Sequence, residues 1–357
     1  MGVFNLKKYL TVSAVVLISS LILGACSKET SKGGEEGPQE LVVSTFGISE
    51  DVVKKDIFEP FEKANNVKII VESGTSSERY TKLANNPNSS VDVIELAQGN
   101  AAKGFQAGLF AEVDEKSVPN MAFLTESAKG AVAPGAGPAY VVNSIGIIYN
   151  QAATGKELTE WADLWSEDLK SKVAIPDIAT TYGPAMVYLA NDQQKTDLEK
   201  DQGKGAFVGL KALEPNVVKT YGKSSDLINM LKSGEITAAV VGDFAVPIIA
   251  NADSEVEYFV PASGTYANFN TVNVTKNSKN KELAQKFVDW RISQELQEVT
   301  AKSLNEAPTN TKVVLDEATS KDKTYGPVAE RLKRIDFDFV NEELTNWIDQ
   351  WNQTFNQ

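Results

Sequence analysis

Two periodicities alternate along the chain. Residues 40–45 (ELVVST) form a short β-branched run that predicts a strand, broken at Phe46 and Gly47. From 51 to 65 the apolar residues Val52, Val53, Ile57, Phe58 and Phe61 recur at helical spacing, and Pro60 predicts a kink inside that helix. Residues 67–72 (VKIIVE) read as a second strand. Residues 74–77 then lead into a helix through Leu83, with Ser76 or Ser77 as its N-cap. Residues 91–96 (VDVIEL) read as a third strand, and Gln98, Gly99 and Asn100 open the next helix. A β-α-β-α-β start predicts a parallel sheet flanked by helices, with its ligand crevice at the loops after the strands' carboxyl ends. Those loops are 44–47, 74–77 and 97–100. Ordinary capping accounts for the polar groups of any one of them; three on one sheet edge predict a binding role.

The second half repeats the design. Pro134–Pro138 (PGAGP) precedes a long β-rich run at 139–150 that is placed to cross from one lobe to another. Trp161 and Trp165 stand four residues apart and are expected to pack on one helix face. Residues 173–176 (VAIP) predict a strand, followed by the polar loop 177–184 and an apolar helix at 185–190. A helix at 225–233 ends at Gly234, and a strand at 236–242 carries Asp243 and Phe244 at its carboxyl end. Residues 255–261 (EVEYFVP) read as the return crossing, 264–270 (GTYANFN) as a polar, aromatic loop, and 271–274 as a resumed strand. Residues 280–294 form an amphipathic helix with Trp290. Residues 341–355 form another, whose stripe of Leu344, Trp347, Ile348, Trp351 and Phe355 reads as core.

The first 25 residues read as a signal peptide. Lys7 and Lys8 supply the positive end, and residues 10–23 are apolar apart from Thr11, Ser13, Ser19 and Ser20. That run is shorter than the roughly 20 apolar residues that span a bilayer, and the small residues Gly24 and Ala25 follow it. Cys26 is the chain's one cysteine, so it has no internal disulfide partner. Residues 27–39 (SKETSKGGEEGPQ) are polar, charged and Gly-containing, which predicts a flexible tether. The run Leu23-Gly24-Ala25-Cys26 resembles a bacterial lipobox. That resemblance implies cleavage before Cys26, its lipidation, and a two-chain anchor on the extracytoplasmic face of the cell membrane.

Composition narrows the chemistry. The 357-residue chain carries a formal net charge of −13, and −15 once Lys7 and Lys8 are removed. This argues against nucleic acid and anionic lipid surfaces as partners, though solubility alone also explains it. There is no histidine, which excludes Ser-His-Asp and Cys-His catalysis and His-ligated zinc or iron. No thiolate site is available beyond Cys26, and neither GxxxxGK[ST] nor GxGxxG follows a strand. The expectation is a protein with no catalytic residues, no resident metal and no cofactor; a surface enzyme or an adhesin lipoprotein is the competing class.

The order of these segments resembles the extracellular solute-binding proteins of ABC importers, a group including spermidine/putrescine binders and the related ferric, thiamine and phosphonate binders. The markers are the lipobox, LVVSTF (41–46), VDVIEL followed by GFQAGLFAEVD, VAIPD followed by a Thr/Gly helix start, GEITAAVVGD, and KNSKNKELAQKFVDW followed by APTN. The resemblance covers nearly the whole mature chain. It implies an α/β, two-lobed type II periplasmic-binding fold, each lobe a mostly parallel sheet flanked by helices, with a hinge and ligand-driven closure. The expected division is 40–142 with 255–310 as one lobe and 143–254 with 311–357 as the other. The implied partners are a small polar solute and the importer's membrane subunits, and a monomer is expected.

The ligand-binding residues expected from these loops and this resemblance are Thr45, Phe46, Thr75, Ser76, Gln98, Asp177, Thr181, Tyr182, Asp243, Tyr266, Asn268 and Asn270. Polyamine binders hold ammonium groups with carboxylates and stack methylenes on aromatic rings. Asp177 matches such a carboxylate, Asp243 is a second, and Phe46, Tyr182 and Tyr266 could form aromatic walls. Asn268 and Asn270 stand where polyamine binders tend to carry Trp and Asp, and Thr180 stands near an expected Glu. An anionic or zwitterionic ligand is the rival, suited to the hydroxyl-rich helix starts at Thr75-Ser76 and Thr180-Thr181. A ferric ion ranks last, because no Tyr-Tyr pair occurs. Replacing Cys26 by Ala is expected to move the protein from the membrane to the soluble fraction; a variant that stays with the membrane on fractionation contradicts the anchor.

Overall fold

The structure is a computed structural model that describes residues 38–356. The signal segment, Cys26 and the tether through residue 37 lie outside the described residues. Among those described, the strands are β1 (Gln39–Phe46), β2 (Val67–Gly74), β3 (Val93–Ala97), β4 (Ala139–Asn150), β5 (Val173–Pro176) and β6 (Val217–Tyr221). They continue as β7 (Ala238–Gly242), β8 (Val256–Phe259), β9 (Thr265–Val274), β10 (Ala307–Pro308) and β11 (Leu332–Lys333). The strand order is β2-β1-β3-β9-β4-β7-β5-β6, with β8 and β10 paired to β4 and β11 to β9. One trio, β2-β1-β3, is parallel, and so is the other, β6-β5-β7. Between them β9 and β4 run antiparallel to their neighbours, so the two-lobed α/β fold is built on a mixed sheet.

The first strands follow the sequence pattern. Helix α1 covers residues 50–65, with a π-helical turn at Lys54–Phe58 just before Pro60. Pro60 has no N–H for the Asp56 carbonyl, and the wider turn is where the ladder absorbs that loss. Helix α2 (Ser76–Asn85) is capped by Thr75, not by Ser76 or Ser77 as the sequence suggested. Thr75 and Glu78 form a reciprocal capping box, and the Glu three residues on is what favours Thr75. The other long helices are α3 (Gln98–Gln106), α4 (Gly183–Gln194), α5 (Lys204–Leu213), α6 (Lys281–Arg291), α7 (Gln294–Ser303) and α8 (Phe337–Phe355).

Both faces of the inner strands β3, β5 and β7 are covered, which is why they read as near-continuous apolar runs, while the outer strands β2 and β6 leave Val71 and Val218 exposed. Val93 of β3 joins Phe58, Phe61 and Phe287 on one face, while Ile94 and Leu96 join Leu83 and Ala101 on the other. In β7, Ala238 and Val240 face the α4, α5 and α8 side, and Ala239 and Val241 face Leu227, Met230 and Ile249.

Two expectations for residues 255–274 are corrected. Residues 255–261 do not carry the chain back; β8 pairs only with Ile147–Asn150 of β4. The return is made by β9, which takes in residues 265–270 of the predicted loop. Tyr266, Asn268 and Asn270 therefore sit on a strand paired with both β4 and β3. The polar residues of this run disguised it, because their side chains find partners on neighbouring elements: Thr265 Oγ1 donates to the Ile145 carbonyl and Asn273 Nδ2 to the Ile94 carbonyl.

Helix α8 starts four residues earlier than the sequence pattern suggested. It is tied to α3 by Gln106 Nε2 donating to Asp338 and Asn341 Nδ2 donating to the Gly99 carbonyl. Farther along, Trp347 is fully buried, and its indole N–H donates to the Gln202 carbonyl at 3.0 Å. Gly203 sits beneath that ring at φ 85°; a Cβ there would lie 2.7 Å from Trp347 Nε1, so only glycine fits. Trp347→Ala is expected to lower stability by about 3–5 kcal/mol, read as a lower urea midpoint with an unchanged slope.

Candidate functional site

Register places the two carboxyl edges opposite one another. Ala97, the last residue of β3, pairs with Asn270 of β9, and Asn270 pairs with Val141 of β4. Gly242, the last residue of β7, pairs with Ile145 of the same strand. β3 runs toward higher numbers of β4 and β7 toward lower ones. Their ends thus converge on a stretch of four residue steps, roughly 13 Å at about 3.3 Å per residue. The loops that open after each end flank this stretch.

The first edge gathers seven of the expected residues. Thr45 is buried, its Oγ1 donating to Glu95 Oε2 at 2.6 Å. Phe46 is partly exposed, with the Arg79 guanidinium 4.5 Å from its ring centre. Ser76 accepts from the Ala97 N–H and from Asn100 Nδ2, both at 3.0 Å, which ties the start of α2 to the start of α3. Thr75 remains exposed at its cap. The Gln98 N–H donates to Asn268 Oδ1 at 3.3 Å, and Asn268 Nδ2 donates to Asn270 Oδ1 at 2.8 Å. Gln98, Asn268 and Asn270 thus form an uncharged amide floor.

The second edge gathers Asp177, Thr181, Tyr182 and Asp243. Asp177 is partly exposed after β5, accepting from the Ala179 N–H at 3.0 Å. Tyr182 stacks on Phe244 at 6.0 Å and 16°. Asp243 is turned inward and is 1% exposed. It accepts from Asn143 Nδ2 at 2.8 Å, the Thr324 N–H at 3.0 Å and Thr324 Oγ1 at 2.5 Å. Tyr266 stands apart from both edges. Its hydroxyl donates to Asp192, and its ring leans on Tyr188 in the core beneath α4.

Electrostatics follow burial and pairing. Burial pushes the Asp243 carboxyl up to about 6 against the pull of Thr324 and Asn143. Burial lowers the Arg79 guanidinium to about 10, with Glu95 opposing. Bonds from Thr75 hold the Glu78 carboxylate below the usual range, and the Lys223 ammonium, in the loop after β6, adds to the effect. An open groove of about 400 Å³ beside this point is lined by Glu72, Ser73, Gly74, Glu78, Arg79 and Lys82.

Sequence reasoning missed the group beneath the first edge. Arg291 of α6, 2% exposed, donates to Glu95 at 2.9 Å and to both oxygens of Glu306, and its guanidinium covers the Tyr140 ring at 3.8 Å. Burial works against the Arg291 charge, and Glu306 and Glu95 more than offset it, holding the group above its ordinary range. The available signal was Glu95 itself, a charge inside an otherwise apolar parallel strand. Asn143 was also missed, and nothing in its sequence context marks it; Phe244 was placed at its strand's carboxyl end but not counted among the ligand residues. Among the described residues, no group of three or more His, Cys, Asp or Glu side chains is placed to hold a metal ion, and no helix is long and apolar enough to cross a membrane.

Comparison with known proteins gives this geometry a context. Residues 56–327 match the family described as bacterial extracellular solute-binding protein. A spermidine/putrescine-binding periplasmic protein of Escherichia coli is 23% identical over 297 residues, covering 79% of this chain and 82% of the relative. The putrescine-binding periplasmic protein SpuD of Pseudomonas aeruginosa is 26% identical over 268 residues, 69% of this chain and 72% of the relative. The crystal structure of an ABC transporter protein from Clostridium perfringens is 51% identical, with a TM-score of 0.79 over 88% of this chain and 100% of that one.

Asp243 makes stability pH-dependent. A folded value near 6 against an unfolded value of about 3.9 means the folded state holds this proton more tightly. The group's contribution is therefore highest below about pH 4 and is lost as pH rises through 6, by at most about 3 kcal/mol. In Asp243→Asn that component should vanish. The wild-type minus variant stability, measured by urea unfolding from pH 4 to 7, should fall with rising pH and level off; a flat difference contradicts the assignment.

Proposed function

Because the chain belongs to the bacterial extracellular solute-binding proteins, as the substrate-binding component of an ABC importer, we propose that it captures a polyamine-like amine between its two carboxyl edges. The single observation that carries this reading is the convergence of β3 and β7 on residues 141–145. In a doubly flanked α/β sheet, that is where backbone amides, hydroxyls and loop side chains are free to meet a ligand. The protein is a binding protein and not an enzyme.

Several features suit an amine. The partly exposed Asp177 carboxylate stands at the second edge, Phe46 offers a ring at the first, and Phe244, stacked on the buried Tyr182, offers another. Ammonium groups favour carboxylates, and methylene chains favour ring faces. The amide floor supplies further uncharged partners. The relatives named for spermidine and putrescine support the same choice. Capture proceeds by closure: contacts made only when both edges touch the solute shift the lobes toward the closed form, hinging where β4 passes between them. The closed form is what the importer's membrane subunits receive. Cys26, lipidated, keeps the monomeric protein at the extracytoplasmic face of the cell membrane beside them.

A second reading, an anionic or zwitterionic solute, is favoured by one observation. The N-terminus of α4 has no side-chain cap at Tyr182; the Gly183 N–H donates to the Thr180 carbonyl at 3.3 Å and Pro184 has none, so the Ala185 and Met186 amides are what this end could offer a carboxylate or phosphate.

Calorimetry with spermidine and putrescine tests the amine reading. Phe46→Ala and Tyr182→Ala are each expected to weaken binding about tenfold or more, roughly 1.4 kcal/mol. Small-angle scattering should show contraction on ligand addition. Binding without contraction contradicts closure, and heat only with anionic solutes transfers the choice to the second reading.

A further inference from the structure

The buried charges beneath the first edge determine which way a hydroxyl at that edge points its hydrogen. Thr45 lies one residue from the end of β1, level with Glu95 of β3, because Ser44 pairs with Ile94 in parallel register. Its Oγ1 is 2.6 Å from Glu95 Oε2. The other oxygen, Oε1, is held by Arg291 Nε at 2.9 Å. Arg291 grips Glu306 at 3.0 and 2.6 Å through its two remaining nitrogens.

A guanidinium only donates, and a paired carboxylate only accepts. The Thr45 hydrogen is therefore fixed on Glu95, and the oxygen keeps only lone pairs for any other contact. Arg291 cannot swing away to release this arrangement, since it is bidentate on Glu306 and covered by the Tyr140 ring. We propose that Glu95, held by Arg291 and Glu306, is a positioning residue that presents Thr45 to the cleft as a hydrogen-bond acceptor, so that this edge selects a solute N–H donor over a carboxylate or phosphate oxygen. The inference rests on solute capture at the two edges and narrows it to the donor class.

Chemistry supplies a variant that reverses the polarity. In Glu95→Gln the amide oxygen must stay on Arg291, since that partner only donates. The amide NH2 then faces Thr45, which becomes the acceptor, and its own O–H is freed to donate outward. An edge built this way repels an ammonium N–H and welcomes an oxygen.

The test is calorimetry with spermidine, putrescine and inorganic phosphate on the full folded chain, with thermal unfolding run on every variant. Thr45→Val, which keeps the shape and removes the hydroxyl, is expected to weaken amine binding about tenfold or more, and Thr45→Ser to recover most of that loss. Glu95→Gln is expected to weaken amine binding similarly, and to add little in the Thr45→Val background, because it acts through that hydroxyl. If Glu95→Gln does not fold, the Thr45→Val and Thr45→Ser pair decides. Full amine affinity in Thr45→Val, or an undiminished Glu95→Gln loss in the Thr45→Val background, overturns the assignment. A wild type that binds phosphate but neither amine overturns the donor selection and leaves solute capture standing. A wild type that retains and binds no solute of any class defeats the underlying capture reading instead.

Discussion

One strand belongs to both halves of the molecule, and the two carboxyl edges converge because of it. The first half of β4 pairs with β9 and β10, and its second half with β7 and β8. Parallel strands end where their loops can reach solvent, and here two sets of ends are aimed at the same few residues of a shared strand. A shift of one residue in either register would turn every side chain of β4 to the opposite face. The burial of Ile145, Ile147 and Tyr149 in one core and of Ile148 in another holds that register in place. The geometry of the site is thus a consequence of core packing.

Beneath the edges, charge is kept where water is excluded. A lone buried ion is costly, so Glu95 and Glu306 are paired with Arg291, while Asp243 is met by neutral donors and Arg79 by backbone carbonyls. The pairing runs without a break from one edge toward the other: Thr45 to Glu95, Glu95 to Arg291, Arg291 to Glu306. The residue before Glu306, Asn305, donates to the Asp243 carbonyl at 2.9 Å. The same segment then enters β10 against β4. Two carboxylates that could each have served a cationic ligand, Glu95 and Asp243, are instead satisfied internally. What the two edges retain beside them is hydroxyls, amides, rings and the partly exposed Asp177.

Much of this was legible in the residues. The parallel opening, the crossing role of residues 139–150, and the strand-loop-helix starts at 97–100 and 177–183 all followed from periodicity, because repeated burial of one face writes itself into spacing. The pattern failed where polar side chains are buried. Residues 264–270 looked like a loop since Thr265, Asn268 and Asn270 interrupt the apolar rhythm, yet Thr265 and Asn268 have partners on adjacent elements and Asn270 is held by Asn268. Tyr266 looked like a cleft aromatic and instead faces the core through Tyr188 and Asp192. A single sequence carries no sign of which polar residue will find a partner 100 positions away.

The sequence by itself determined the class of the fold, the two polar strand ends and the family, since each depends on local spacing or on the order of segments. The tertiary structure alone decided that β9 and not residues 255–261 makes the return, that Asp243 turns inward to Thr324, and that Arg291 reaches Glu95. Those outcomes depend on contacts between elements distant in the chain, whose energies are set by burial and pairing once the sheet has formed, and no local pattern encodes them.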